Sequence, residues 1–384
     1  MADNVSQSIS ETGVPTRSVQ RDPEQTRKAL EGWFAAALPD RSQLRITEVR
    51  VPDASGVANE TLMCDATWTE DGQEHSDGYV VRVNSPDFLY KDVDLEVHAN
   101  MYRALRDEPG IPVPVVIGYC ADTSVLGQAF FVMERLDGQV PGDTPPFHTT
   151  GWVYDLLPEQ REALWRRSVE VMARLHRVDP AKLPFLERPR YGGNGLEQDL
   201  GYWLDYGQWA SRGRPHPVID TAADWIRANV PSAPVCGLAW GDSRIPNIMF
   251  RDLEVVSVFD WDMVCLAGAE SDLAWWTVMD YTNTESGGVQ RLPGIGSPAE
   301  TVRLWQELSG RPVRDMDFHL VYAAYRLAVI LVRLGDLFAS AQSMPAEITD
   351  ALINNNPGVQ YLAQMLEIRY DGPIQMPWPG LQIS

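Results

Sequence analysis

The stretch that decides the reading is Trp240-Gly241-Asp242-Ser243-Arg244-Ile245-Pro246-Asn247-Ile248-Met249-Phe250, followed by a short connector and then Phe259-Asp260-Trp261-Asp262. Gly241 and Pro246 are turn formers, so Asp242 and Asn247 fall on one tight loop. Ile248, Met249 and Phe250 read as a short buried strand. After a turn at 251–254, the run Val255-Val256-Ser257-Val258-Phe259 reads as a returning strand, and the hairpin so formed brings Asp260 beside Asn247. A loop carboxylate, an amide oxygen and a second carboxylate across a hairpin form the ordered set that phosphoryl transfer needs. Asp242 can orient a hydroxyl and receive its proton. Asn247 and Asp260 are oxygen ligands of the kind Mg²⁺ takes, with phosphates and water completing the shell. Taken alone, D-x4-N is weak, because both residues are common in turns. The apolar strand after it and the placing of Asp260 make the pattern specific.

These residues, with Gly268-Ala269-Glu270-Ser271-Asp272-Leu273-Ala274 after them, resemble the aminoglycoside phosphotransferase-like superfamily, also called the phosphotransferase enzyme family. Its members usually carry HGD-x4-N, an I/L-D-W-E/D strand end and a glycine shortly ahead of D-L-A. Here Trp240 stands where many relatives have histidine, a form similar to an actinobacterial branch of the superfamily. The histidine is mainly a packing and hydrogen-bonding residue, so tryptophan is expected to keep that role. The resemblance implies an α+β, protein-kinase-like two-lobed fold, with a small N-terminal β-sheet lobe and a larger, mainly helical C-terminal lobe. It implies ATP or GTP as phosphoryl donor, Mg²⁺, and a small hydroxylated acceptor, aminoglycosides among them. The expected division is a disordered tail over 1–22, a nucleotide-binding lobe over 23–136, and a catalytic and substrate-binding lobe over 137–384.

Upstream, the resemblance assigns further residues. Ser55 and Gly56 permit a tight strand–turn–strand that could cover the nucleotide phosphates with backbone N–H groups; an ordinary hairpin would look the same. Arg82, on the strand Gly78-Tyr79-Val80-Val81-Arg82-Val83, takes the place of the kinase lysine that contacts the α and β phosphates. Glu96, in the following helix, is its expected partner. Met133 would flank the adenine, and the backbone of Glu134 to Leu136 would read its edge. Arg244, two residues after Asp242, could neutralise charge on the transferring group. Asp272 is expected to tie the catalytic region to its helix by hydrogen bonds.

Elsewhere the chain gives mostly structural signals. A helix begins at Asp22-Pro23, another runs over 159–178, and Ser297-Pro298-Ala299-Glu300 is a capping box. A long apolar helix is expected over 318–340. Residues 183–217 read as irregular and 371–384 as loosely packed. The formal net charge of −21 over 384 residues argues against nucleic acid or an anionic membrane as partner. The four cysteines are widely spaced, which suits buried reduced thiols rather than a metal site or disulfide framework. No apolar leader and no uninterrupted run of about 18 apolar residues is present, so a cytoplasmic location is expected. Oligomeric state is not legible. Two other readings compete with a kinase. One is a catalytically weak nucleotide-binding pseudokinase or scaffold, motivated by Arg82, Trp240 and the poor glycine loop. The other is a metal-dependent hydrolase using Asp242, Asp260 and Asp262, which lacks the His/Asp-rich cluster of two-metal sites.

Overall fold

Alternating apolar and polar residues build the first part of the molecule. The computed structural model describes residues 8–9, 15–16, 21–52, 59–85, 89–92 and 94–383. The chain divides into two compact units, residues 1–107 with 112–137, and residues 108–111 with 138–384. Most of the tail expected over 1–22 lies outside the described residues. Its last two residues have structural work. Arg21 forks onto Glu60 at 3.0 and 2.9 Å, and Asp22 accepts from the N–H groups of Glu24 and Gln25 to cap α1 (Pro23–Ala37).

Besides a two-stranded pairing of Ser8–Ile9 with Pro15–Thr16, the first unit holds a five-stranded antiparallel sheet. Its strands are β1 (Ser42–Arg50), β2 (Glu60–Glu70), β3 (Gln73–Val83), β4 (Val116–Cys120) and β5 (Phe130–Glu134), in the order β1-β2-β3-β5-β4. The β2–β3 turn is Asp71-Gly72, both at positive φ, which matches the twist of a two-residue hairpin. Helix α2 (Leu95–Leu105) lies between β3 and β4 in the chain. Leu62, Cys64, Ala66 and Trp68 alternate along β2 onto the face that meets Leu30 and Phe34 of α1. Burying a side chain of the size of Leu62, Leu30 or Phe34 contributes about 1.5–3 kcal/mol as an upper bound.

The second unit is mainly helical. Its main helices are α3 (Pro158–Leu175), α4 (Gly195–Ser211), α5 (Pro217–Ala228), α6 (Ala269–Asn283), α7 (Pro298–Ser309), α8 (Met316–Ala341), α9 (Ala346–Asn354) and α10 (Pro357–Met365). The hairpin of β6 (Ile248–Arg251) and β7 (Glu254–Val258) precedes α6. Helix α8 is apolar nearly all round and packs against α4, α5, α6, α9 and α10, as a central helix must.

Two expectations need correction. Residues 183–217 are not irregular, because α4 fills much of that span. Gly195, Gly201 and Gly207 hid it. At Gly201 a Cβ would lie 2.6 Å from the Tyr191 carbonyl oxygen, and at Gly207 2.2 Å from the Tyr325 hydroxyl, so tertiary packing imposes glycine inside a helix. The C-terminal stretch lacks regular structure but is pinned. Gln360 Oε1 accepts from the N–H groups of Gln375 and Met376, and Tyr281 donates to the Gly380 carbonyl. Of the cysteines, Cys236 is exposed and the other three are buried; all four are free thiols. No helix among the described residues is long and apolar enough to cross a membrane.

Candidate active site

Gly241 shapes the loop that carries Asp242. Its φ is +95°, and a Cβ there would stand 2.1 Å from the Met263 carbonyl oxygen, so only glycine fits. A single 3-10 turn at Ile245–Asn247 leads directly into β6. The β6–β7 hairpin turns at Asp252-Leu253, with φ of 52° and 65°, the two-residue geometry that keeps strand twist. Ile248 pairs with Val258, and the Phe259 N–H donates to the Asn247 carbonyl at 3.2 Å. The hairpin therefore sets Asn247 beside the Phe259-Asp260 strand end. Asp260 has φ +67°, a left-handed conformation that aspartate tolerates better than most residues.

A buried carboxylate holds this loop from behind. Asp272, at the start of α6, is fully buried. Its Oδ2 accepts from the Trp240 N–H at 2.6 Å and its Oδ1 from the Gly241 N–H at 2.8 Å. His176 Nε2 lies 2.8 Å from Asp272 Oδ2, and the Trp305 indole N–H donates to His176 Nδ1 at 2.9 Å. With Nδ1 accepting, the ring proton sits on Nε2 and is donated to Asp272. Several N–H donors thus meet one anion, which is the condition for keeping a carboxylate out of water. Trp240 is buried and donates from its indole to the Phe259 carbonyl at 2.9 Å, tying the loop to the strand that delivers Asp260.

Asp242 is itself 8% exposed and receives three donors. The Trp275 indole N–H reaches Oδ1 at 2.7 Å. Asn247 Nδ2 and Arg244 Nε reach Oδ2 at 2.7 and 2.9 Å. Arg244 also bridges to Asp143. Burial works against the Arg244 charge, but Asp242, Asp143 and Asp260 outweigh it and raise its pKa further, so it stays a fixed cation. The loop expectation accordingly brings Asp242, Arg244 and Asn247 together.

The donor set suits Mg²⁺. Asn247 turns its amide N–H₂ onto Asp242, which leaves its carbonyl oxygen as the outward donor. Asp260 adds a partly exposed carboxylate on the neighbouring strand end. Two hard oxygens at one hairpin mouth fit a metal that keeps most of its shell for phosphate and water. No cluster of three His, Cys, Asp or Glu side chains that could hold a metal occurs among the described residues, so a multi-carboxylate hydrolase centre finds no support there.

The first unit's expected residues are placed less tightly. Arg82 donates to Thr61 Oγ1 at 2.6 Å, its cross-strand neighbour in the β2–β3 register. Glu96 sits exposed in the first turn of α2, and no Arg82–Glu96 ion pair forms among the described residues. The expected pair is thus replaced, because the threonine directly opposite is the nearer partner. Met133 and Glu134 end β5. The Glu134 N–H donates to the Val115 carbonyl and the Arg135 N–H to that of Gly78, which leaves Leu136 as the first residue beyond this pairing. Arg135 in turn pairs with Asp65 at 2.7 Å. Ser55 and Gly56 lie outside the described residues.

Sequence reasoning missed Trp275 and Asp143. Neither carries a local signal, since each meets its partner only through tertiary structure, and the contact spans 33 residues for Trp275 and 101 for Asp143. Beside Arg244, Ile245 and Pro246 lies a small cleft of about 30 Å³, walled by Phe147 and His148 and by Trp276, Met279, Asp280 and Asn283 on one face of α6. Burial, with Arg291 and Arg161 nearby, lowers the His148 pKa to about 4. Burial raises Asp280 to about 6, although Arg291 forks onto it and resists the shift.

An antiparallel sheet unit followed by a helical unit bearing the D-x4-N hairpin is the plan of the protein-kinase-like phosphotransferases. Residues 52–334 match the phosphotransferase enzyme family, and the chain belongs to it. A proposed aminoglycoside phosphotransferase from Ralstonia eutropha has a similar structure, with a TM-score of 0.66 and 23% identity over 88% of this chain and 98% of that one. Spectinomycin phosphotransferase, solved with ADP and spectinomycin, is similar with a TM-score of 0.51 and 13% identity, covering 91% of this chain and 100% of that one. At these identities the likeness establishes the protein-kinase-like fold. Among curated proteins, the chain is 29% identical over 66% of its length to probable acyl-CoA dehydrogenase IBR3 of Arabidopsis thaliana. It is 29% identical over 79% of its length to acyl-CoA dehydrogenase family member 11 of Rattus norvegicus. The chain spans only 32% and 38% of those two proteins.

Proposed function

We propose that this chain transfers the γ-phosphoryl group of ATP or GTP to a hydroxyl of a small molecule. The observation that carries the reading is the Asp242 carboxylate, held by Trp275, Arg244 and Asn247 at the mouth of the hairpin that also presents Asp260. Asp242 orients the acceptor hydroxyl and takes its proton. Its two oxygens offer about four lone-pair positions, and three donors leave one for that hydroxyl. Asn247 and Asp260 would hold Mg²⁺, which when bound neutralises charge on the phosphates. Arg244 holds the Asp242 carboxylate in place. Its Nη2, which has no hydrogen bond among the described residues, is the group left for a phosphoryl oxygen. Arg82 is the cation for the α and β phosphates once it leaves Thr61. Met133 would flank the base and the backbone from Glu134 to Leu136 would read it. Ser55 and Gly56 would cover the phosphates. An aminoglycoside is one acceptor class, supported by the names of the structural relatives.

The test is steady-state phosphotransfer with an acceptor panel, followed by Asp242→Ala. Loss of a general base should lower kcat by about 10²–10⁴, with Mg²⁺-dependent nucleotide binding retained. A variant turning over at the wild-type rate would show that Asp242 is not the base. A second reading, a nucleotide-binding scaffold, draws on the Arg82–Thr61 bond in place of an Arg82–Glu96 pair. Nucleotide binding that is lost in Asp260→Ala, without turnover on any acceptor, would favour it.

A further inference from the structure

The sheet of the first unit has two faces with different work. Cys64 of β2, Tyr79, Val81 and Val83 of β3, and Phe130 and Val132 of β5 turn to the core under α1. Alternation puts the residues between them on the opposite face. There the register aligns three rungs across β2, β3 and β5. The first is Thr61, Arg82 and Phe131, the second Met63, Val80 and Met133, and the third Asp65, Gly78 and Arg135. Successive rungs stand about 7 Å apart. The face thus runs from Arg82, the cation assigned to the phosphates, through an apolar rung that contains Met133. It ends at an ion pair where the chain leaves β5.

That last rung has an unusual build. The Arg135 N–H donates to the Gly78 carbonyl at 2.9 Å. The Arg135 side chain then crosses Gly78 to meet Asp65 on β2, with Nη1 2.7 Å from Oδ1. A Cβ on Gly78 would stand 2.3 Å from Arg135 Cζ and 2.4 Å from its Nη2, so the guanidinium lies against bare glycine backbone. Gly78 is not among the glycines at positive φ, so no turn demands it. Glycine inside a strand is unfavourable, and its use there marks a close approach. The two side chains are 27% and 32% exposed, so the pair contributes little to stability as such. Its effect falls on geometry. Residue 135 is clamped by main chain and side chain together, immediately before Leu136. We infer that Arg135, held across Gly78 by Asp65, is a positioning residue for the nucleotide base. It fixes the peptide that follows, so that the groups reading the base edge are preorganised beside the Met133 rung. This rests on the base-reading role proposed above for the backbone of Glu134 to Leu136.

The test is calorimetric titration of the full chain with ATP, GTP and inorganic tripolyphosphate, each with Mg²⁺. The preferred nucleotide should bind more tightly than tripolyphosphate, and the gap measures what base and sugar add. Arg135→Met and Asp65→Asn should each weaken the nucleotide by about three- to tenfold and leave tripolyphosphate unchanged. Gly78→Ala is the sharper variant, and it keeps the question decidable if Arg135→Met folds poorly. It retains both charged residues but pushes the guanidinium off the strand. Its melting temperature should hold or rise, because alanine suits a strand better than glycine. Its nucleotide affinity should nevertheless fall as in Arg135→Met, and the two losses should not add in the double variant. Full nucleotide affinity in Gly78→Ala, or tripolyphosphate weakened as much as the nucleotide in Arg135→Met, would overturn the inference while leaving the base-reading role intact. A wild-type protein that binds neither nucleotide more tightly than tripolyphosphate would overturn that role and the inference with it.

Discussion

Asp242 Oδ1 is oriented by a residue far from its own loop. The Trp275 indole donates to it at 2.7 Å, and the ring lies 5.0 Å from the guanidinium of the fully buried Arg326. Arg326 also donates to the Ser271 carbonyl at 3.2 Å, so helix α8 braces the helix on which Trp275 stands. A buried hydrogen bond to a charged group contributes about 1.5–3 kcal/mol. Trp275→Phe removes the N–H and keeps most of the packing. It should lower kcat by about 10- to 100-fold, because a carboxylate free to rotate presents the wrong lone pair to the acceptor. The KM for nucleotide should change little. Steady-state kinetics and a melting curve measured together separate positioning from packing. A drop in melting temperature with kcat intact would make Trp275 a core residue only. The sequence gives no hint of this bond, since an aromatic pair early in a helix reads as core.

At the scale of elements, local chemistry was legible and long-range partners were not. The hairpin after Asn247 follows from two short apolar runs around a turn, and the helix starts at Pro23 and Pro298 from their caps. The helix over 195–211 was hidden because its glycines answer to Tyr191 and Tyr325, contacts that no local pattern contains. Arg82 was expected to seek Glu96, but register put Thr61 opposite it. Gly241 tests the loop directly. Alanine there would adopt a strained positive φ and also meet the Met263 carbonyl at 2.1 Å. Gly241→Ala should cost about 3 kcal/mol or more, lower the melting temperature by at least about 5 °C, and abolish phosphotransfer. The capping box gives the contrasting case. Ser297 Oγ accepts from the Glu300 N–H while Glu300 Oε2 accepts from the Ser297 N–H at 2.8 Å. Ser297→Ala should cost about 1 kcal/mol, read as a fall of about 2–4 °C, with kcat unchanged. A loss of activity equal to that of Gly241→Ala would mean that α7 shapes the site.

For the molecule as a whole, several buried groups shape the acid limb of stability, His319 among them with its pKa lowered by burial to about 3, and one imidazole and one carboxylate beside the catalytic loop act in opposite directions. His148 is 4% exposed, and its Nδ1 faces the Leu292 N–H at 3.4 Å. In the folded chain it stays neutral down to about pH 4, against 6.5 for an unperturbed histidine. Between those values the unfolded chain binds the extra proton, so stability falls as pH drops from 6.5 to 4 and levels below that. The size of the effect is on the order of 3 kcal/mol. Asp280 works the other way. Its folded pKa of about 6 lies above the ordinary 3.8, so the folded chain binds the extra proton between them. Its contribution is therefore greatest below pH 3.8 and is lost as pH rises toward 6. The two nearly cancel in the wild type between pH 4 and 6, and separate variants expose them. His148→Gln should keep more of its stability on acidification than the wild type. Asp280→Asn should lose stability more steeply over the same range, because the compensating proton uptake is gone. Urea unfolding followed by tryptophan fluorescence at half-unit pH steps measures both. Parallel curves for wild type and His148→Gln from pH 6.5 to 4 would show that the imidazole is charged in the folded chain, and the burial argument for His148 would fall.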